Sequence, residues 1–347
     1  MNADQVGHIF KQALATFGPG RPLILTHNDA DGLSAGALLA RSLAGIGRPA
    51  DIRVLSRGEN PWSADMAREL AAQLPAGIVV ADLGVRAGAI RGDTPTVVID
   101  HHVPTGSAGG ATVITGFGAD PTPTTSLLAW WCAIGLNVPD DLFWLAAIGL
   151  IGDLGDRAPF QILTEARKRY GATVLREAVS LLNAPRRAAL GDAAPAMALL
   201  MKADGPRAVI SGEHPETALL IAARTEVKQA LEAAKRIPPK IKPPVALIRL
   251  HSPCQIHPLV AQAWKARLKD SIVMAANTGY RAGWVHFSVR SATGRDLVEF
   301  LRDHAPDGAD EQYGSGHQQA TGGALRPAAW NAFIAGLGFA HEMQVAA

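Results

Sequence analysis

Cysteine is nearly absent from this chain of 347 residues: Cys132 and Cys254 are the whole complement. Two cysteines this far apart imply no disulfide framework, and without a Cys-x-x-Cys pair a structural zinc ribbon or finger is excluded. Charge of one sign is lacking too. Net charge is +2, so no global field draws the protein to nucleic acid or to an anionic surface. Aromatic residues make up 5%, and Trp130, Trp131 and Trp144 lie in apolar helical stretches, where they read as core. The longest apolar run, Leu142 to Gly152, is too short to cross a bilayer. No cationic start leads into an apolar segment at the N-terminus, and no repeat or low-complexity tract follows. The expectation is a soluble, cytoplasmic protein with no membrane partner. Apolar content of 48% is ample for a core, and the length suits two domains.

Against this background, apolar runs that end in metal-ligating residues stand out. Thr96-Val97-Val98-Ile99 delivers Asp100-His101-His102. Leu23-Ile24-Leu25-Thr26 runs into His27-Asn28-Asp29-Ala30-Asp31-Gly32. Ile78-Val79-Val80-Ala81 runs into Asp82. A longer run from Leu145 to Gly152 reads as a buried helix leading to Asp153. The short runs at 23–26, 52–55, 78–81 and 97–99 have the continuous apolar character of buried parallel strands. Helical patterns lie between them at 34–44 and 62–74, as βαβ units require. Parallel strands point their carboxyl ends at one crevice, so His27, Asp29, Asp31, Asp82 and His101 should share one sheet edge.

Asp29, Asp31, Asp82 and Asp153 would then carry four negative charges in one place. Crowded carboxylates take up protons unless they are compensated. Two divalent cations cancel four charges. Oxygen ligands with a minority of imidazoles suit manganese, with magnesium as the alternative, better than zinc. Such a pair activates water and stabilises in-line displacement at phosphorus, which points to hydrolysis of a phosphoester or phosphoanhydride. Any one of these residues alone would read as a helix cap or turn; the constellation does not.

These motifs resemble the DHH phosphoesterase superfamily. His27-Asn28-Asp29-Ala30-Asp31-Gly32 is similar to its first motif, H-x-D-x-D-G, in the form of the RecJ-type single-strand exonuclease branch. Asp82 resembles the second, Asp100-His101-His102 the third, and Gly149-Leu150-Ile151-Gly152-Asp153 the fourth, a Gly-rich turn ending in aspartate. The resemblance implies that His27 and Asp29 hold one metal and that Asp31, His101 and Asp153 hold the other, with Asp82 bridging both. It implies that Asp100 orients His101 and that His102 contacts the scissile phosphate or protonates the leaving group. Asp156 competes with Asp153 for the fourth motif; as a loop or cap carboxylate it is the weaker candidate.

Val285 to Ser291, a helical stretch from Asp296 to Asp303, and Gly314-Ser315-Gly316-His317 with the glycines after it resemble the DHH-associated substrate-binding domain. Ser315 stands where the motif has glycine. The resemblance makes Arg290, Gly314, Gly316 and His317 substrate-binding candidates. Arginines at 281, 290, 295 and 302, and a basic group of Lys228, Lys235, Arg236, Lys240 and Lys242, could track a phosphate backbone or form a solvated face.

The expected fold is α/β: a parallel-sheet catalytic domain with helices on both faces, and a smaller mixed α/β substrate-binding domain across a cleft. The divisions fall at 1–190, at a helical connector and Pro-rich linker over 191–244, and at 245–347. The expected activity is end-wise hydrolysis of single-stranded nucleic acid. The alternatives are a phosphodiesterase or phosphatase acting on short oligonucleotides or small nucleotides, and a non-catalytic replication scaffold. The retained ligand set argues against the scaffold.

Overall fold

The structure, a computed structural model, describes residues 1–138, 140–309, 313–339 and 341–346, and of residues 140 and 315–317 the backbone only. The chain forms two compact units. One is Met1–Arg186 with Gly191–Ala222; the other is Arg187–Leu190 with Ala223–Ala347.

The first unit is built on a parallel sheet of β1 (Leu23–Thr26), β2 (Asp51–Val54), β3 (Ile78–Ala81), β4 (Thr96–Asp100) and β5 (Thr112–Thr115), in the order β2-β1-β3-β4-β5. Leu23 pairs with both Asp51 and Ile78, and Val97 with both Val79 and Thr112. Strands β1, β3 and β4 are apolar at successive positions because both faces are covered. Ile24, Val79, Ala81, Val97, Ile99 and Ile114 face the larger core. Leu23, Leu25, Ile78, Val80 and Val98 face a smaller one.

The larger core is closed by α1 (Ala3–Ala15), α2 (Ala30–Gly45), α4 (Thr125–Gly135) and α5 (Phe143–Leu154). The smaller is closed by α3 (Ala64–Gln73), through Met66 and Leu70, and by the loop around Val85 and Ile90. Further helices, α6 (Gln161–Tyr170), α7 (Ala172–Leu182), α8 (Ala184–Arg187), α9 (Ala194–Lys202) and α10 (Pro206–Ser211), follow α5. Trp130 and Trp144 are core residues, as their neighbours predict.

The strand order determines where a ligand can bind. Chain connections leave β1 toward β2 and then return past it to β3, β4 and β5. The reversal opens a crevice at the carboxyl ends of β1 and β3, the topological switch point of an open α/β sheet. Strand β5 is not among the strands that the sequence predicts. Its residues, Thr-Val-Ile-Thr, are few and only partly buried at this edge of the sheet, so no continuous apolar run marks it.

The run before Asp153 is the buried helix that its apolar character predicts, and the Gly-rich turn of the motif at 149–153 lies within that helix. Residues 143–151 are buried on every side, and such a run is satisfied only inside a core. Helix α5 continues through Asp153 and stops at Gly155, which has φ +82°.

The second unit carries β6 (Lys240–Lys242), β7 (Val245–Leu250), β8 (Ile272–Asn277), β9 (Val285–Ser291), β10 (Ser315–His317) and β11 (Ala320–Leu325), in the order β10-β11-β9-β8-β7-β6. Only the β7–β8 pair is parallel among the described pairings. Helix α12 (His257–Lys265) and the later part of α11 (Pro215–Ala234) pack with Ile248, Leu250, Val273 and Ala275. Helices α13 (Leu297–Asp303) and α14 (Pro327–Gly336) pack with Val245, Leu247, Met274 and Phe287 on the other face.

Candidate metal centre

The chain after β1 turns directly into α2. Asp29 caps that helix: its Oδ1 accepts a hydrogen bond from the Gly32 N–H at 3.1 Å. The turn is tight enough that a Cβ on Gly32 would lie 2.6 Å from the His27 Cβ and 2.8 Å from its carbonyl oxygen. Glycine is required there to bring Asp29 and Asp31 back toward His27. At the end of β3, Asp82 adopts φ +65°. A left-handed backbone at a non-glycine residue is costly and concentrates at functional sites. Strand β4 ends in Asp100 and hands on His101 and His102.

Asp82 is the centre of the resulting cluster. One of its oxygens, Oδ2, lies 3.4 Å from His27 Nδ1, which is itself 3.1 Å from Asp29 Oδ2. The other, Oδ1, lies 3.5 Å from His101 Nε2, which is 3.6 Å from Asp153 Oδ2 and 4.0 Å from Asp31 Oδ2. Among the described residues, the groupings of three or more side chains that could hold a cation are His27-Asp29-Asp82 and Asp82-His101-His102. Both include Asp82.

The donor set fits divalent cations. His27 Nδ1 and His101 Nε2 are buried and make no hydrogen bond, although carboxylate oxygens surround each. Buried polar atoms are seldom left without a partner. Imidazole nitrogens aimed among carboxylate oxygens are what a cation with mixed N and O ligands requires.

Electrostatics agree. Asp31 is pushed up to about 8, by burial first and by the charge of Asp82 next. Asp153 is also raised, by burial above all and by Asp82 and Asp29, with His101 opposing. His27 is pushed up to about 10: burial opposes its protonation, and Asp29 and Asp82 outweigh burial. For the same reason His101 reaches about 9, with Asp82, Asp31 and Asp153 outweighing burial. Without cations the cluster therefore holds protons, as crowded carboxylates must. Asp29 differs from its neighbours. Burial would raise it, yet His27 and the Arg186 guanidinium hold it well below the usual carboxylate range.

Asp100 does not orient His101. Its Oδ1 accepts from the His102 backbone N–H at 2.7 Å and lies 3.1 Å from His102 Nδ1, while Oδ2 accepts from the Gly84 N–H at 2.7 Å. Both histidines approach Asp82, since His102 Nδ1 lies 3.9 Å from Asp82 Oδ1 and the His101 and His102 ring centroids are 4.3 Å apart, but only His102 bonds to Asp100. Burial works against an ionised Asp100, but its bonds to His102 hold it below its ordinary value. The same bond raises His102, against burial.

Other residues, which the motifs do not include, support the cluster. The N-terminus of α4 donates backbone N–H groups of Thr125 and Ser126 to Asp31, at 2.9 and 3.1 Å. The Thr125 hydroxyl donates to Asp82 Oδ1 at 3.0 Å. Asn183 Oδ1 accepts from the Ala30 N–H at 3.1 Å, and Arg186 Nη1 donates to Asp29 Oδ2 at 3.3 Å. Pro-Thr-Thr-Ser before an apolar helix signals a helix start, but not which carboxylate it meets. Helix α5 approaches closely enough that a Cβ on Gly149 would lie 2.0 Å from Ser126 Oγ and 2.4 Å from Asp31 Oδ1.

Asp156 pairs with Arg176 at 2.9 Å. Arg290, on β9, donates from Nη1 to the Val289 and Thr321 carbonyls at 2.9 and 3.2 Å. Gly314 has φ +72° and donates its N–H to the Gly322 carbonyl at 2.9 Å. Gly316 and His317 lie in β10, and the His317 side chain falls outside the described residues.

No protein-family model matches the sequence, and no curated protein does. Solved structures do match. An exonuclease RecJ bound to manganese is 21% identical with a TM-score of 0.68, over 97% of this chain and 93% of that one. RecJ from Thermus thermophilus in complex with Mn2+ is 21% identical with a TM-score of 0.70, over 96% of this chain and 54% of that one. This chain thus spans about half the length of the Thermus protein. The DHH domain of a member of the s1p family of ribosomal proteins is 16% identical with a TM-score of 0.68, over 95% and 89% of the two chains. The chain has the fold shared by RecJ exonuclease and DHH-domain proteins.

Proposed function

We propose that the protein is a two-metal-dependent phosphodiesterase that hydrolyses single-stranded nucleic acid from an end. One observation carries the reading: the two oxygens of Asp82 face two different imidazoles, His27 and His101, each with further carboxylates beside it. His27, Asp29 and Asp82 would hold one cation, and Asp31, Asp82, His101 and Asp153 the other. Manganese or magnesium there supplies Lewis acidity and an activated water for in-line displacement. In support, the RecJ structures similar in fold hold Mn2+ or Mg2+.

The chain's own residues supply the rest of the chemistry. The Asp100 carboxylate fixes the His102 ring and favours its protonated form. His102 is half exposed, so it can give its proton to a leaving alkoxide. Thr125 and the α4 amides hold Asp82 and Asp31 in place. Phe117, beyond β5, is 50% exposed. The Gly116 N–H donates to the Asp100 carbonyl at 3.0 Å, so Phe117 follows a residue tied to the end of β4. An exposed ring on the segment that follows this tie is a candidate to stack on a nucleobase.

A second reading is hydrolysis confined to short oligonucleotides, which the net charge of +2 favours. Labelled single strands from dinucleotide to long oligomer, DNA and RNA, with manganese and with chelator, test both. Manganese-dependent shortening of long strands is expected. Cleavage of only the shortest species moves the activity to the second reading, and no cleavage at any length refutes the phosphodiesterase.

A further inference from the structure

Arg186 stands against the metal centre, and neither the sequence motifs nor the reaction outlined above uses it. Its backbone is fixed: Ala184 and Pro185 are buried, and Asn183, just before α8, accepts from the first N–H of α2. Its Nη1 donates to Asp29 Oδ2, the same oxygen that lies 3.1 Å from His27 Nδ1. At 3.3 Å that contact is long for a charge-assisted bond. The Nε is buried and makes no hydrogen bond. The side chain is 21% exposed, so the guanidinium also has an open side.

A planar guanidinium presents five donors in a fixed fork. One long bond to a carboxylate shared with an imidazole leaves most of that fork unused. A metal-ligating carboxylate commonly accepts one such outer bond, which accounts for one donor here. The remaining donors suit a second anion beside it, and a tetrahedral oxyanion matches the fork. We infer that Arg186 is a substrate-binding residue that contacts the non-bridging oxygens of a phosphate seated at the His27–Asp29 side of the centre. The substrate class rests on the phosphoester reading above.

Inorganic phosphate is the probe. Calorimetric titrations of manganese, and then of phosphate into the manganese-loaded protein, compare the wild type with Arg186→Lys and Arg186→Met. Lysine keeps a cation beside Asp29 but loses the fork. Manganese affinity should stay within about threefold in the lysine variant, while phosphate affinity falls about tenfold to a hundredfold, the worth of one or two charge-assisted hydrogen bonds. If the methionine variant fails to load manganese or to fold, the lysine variant decides alone. Unchanged phosphate affinity in Arg186→Lys overturns the inference, as does a wild type that binds no phosphate. A fall in manganese affinity that accounts for the whole phosphate effect also overturns it, because Arg186 would then serve only Asp29. A wild type that cleaves no nucleic acid, yet binds phosphate in an Arg186-dependent way, supports the contact and refutes the phosphodiesterase instead.

Discussion

The two sheets of this protein treat their polar residues differently. In the first, every strand runs the same way, and the segments leaving β1, β3 and β4 deliver His27, Asp29, Asp31, Asp82, His101 and His102 to one edge. In the second, neighbouring strands mostly alternate in direction, so successive loops leave from opposite edges. There Arg290 spends donors on the carbonyls of Val289 and Thr321. Lys235 and Lys240 pair with Glu232 and Glu342, and Arg281 and Arg326 lie over the Trp284 ring. A parallel sheet collects sequence-distant loops at one edge by topology alone. A mixed sheet must recruit them individually, and Arg290, Lys235, Lys240 and Arg281 are used locally.

The contrast predicts that the first sheet is brittle in function and the second tolerant. Asp82→Ala should cause the largest loss. It removes the carboxylate that faces both imidazoles, and turnover should fall by about three orders of magnitude or more, since both cation positions are damaged together. Manganese titration and circular dichroism of the variant check it; normal turnover with a native fold would break the two-metal reading.

Gly149→Ala should come next. The new methyl group would press on Ser126 and Asp31, and overpacking of this kind costs about 1–3 kcal/mol. Denaturant melts should show the loss, with weaker manganese binding beside it. An alanine tolerated at full stability and affinity would mean that α5 does not fix the position of Asp31.

The pH dependence follows from the shifted groups. His27 and His101, raised to about 10 and about 9 in the folded state, contribute stability present below the ordinary histidine value and lost as pH rises through those folded values. Asp31, raised to about 8, keeps a proton that the unfolded chain has released, so stability falls between its ordinary value and about 8. All three have the same sign from about 6.5 to about 8. Chelator-treated protein should therefore melt at a lower temperature at pH 8 than at pH 6.5. Cations need ionised carboxylates and neutral imidazoles, so the manganese-induced rise in melting temperature should grow over the same interval. Thermal melts with manganese and with chelator at both pH values check both statements; a manganese effect that shrinks with pH contradicts the ligand assignment.

Smaller effects are expected at residues that are not cation ligands. Phe117→Ala should raise KM several-fold for oligonucleotides with little change in kcat, because stacking contributes about 1–3 kcal/mol per base. Arg290→Ala should raise KM less, with kcat retained, because its guanidinium is already engaged with carbonyl groups. Steady-state kinetics on a short labelled oligomer separate the two. An Arg290 effect as large as that of Asp82 would erase the contrast between the sheets.

Much of the first unit is legible in the sequence because its signals are local. Apolar runs of four or five residues ending in Asp or His mark β1, β3 and β4 and the ligands they carry. Partly buried β5 has no such run, and α5 reads in part as a turn because its glycines look like punctuation. Gly149 and Gly152 are instead places where α5 meets Ser126, Asp31 and Ala30. The motif reading gives Asp100 the wrong histidine, because the turn after β4 folds the His102 N–H and ring back onto the carboxylate, and the sequence does not show that turn. Thr125, Ser126 and Arg186 lie far along the chain from the carboxylates they hold, and Asn183 from the Ala30 N–H it accepts, and nothing near them in sequence names those partners.

The sequence by itself determined which residue types the chain brings to its strand ends and helix starts, since strand runs and tight glycine turns depend on neighbours only. Tertiary structure alone decided that Asp82 faces His27 with one oxygen and His101 with the other. It likewise decided that Asp31 rests on the start of α4, and that Arg186 reaches Asp29. Those relations arise from the order of strands in the sheet and the packing of helices on it. Both are set by burying the whole core at once, which no short stretch of sequence encodes.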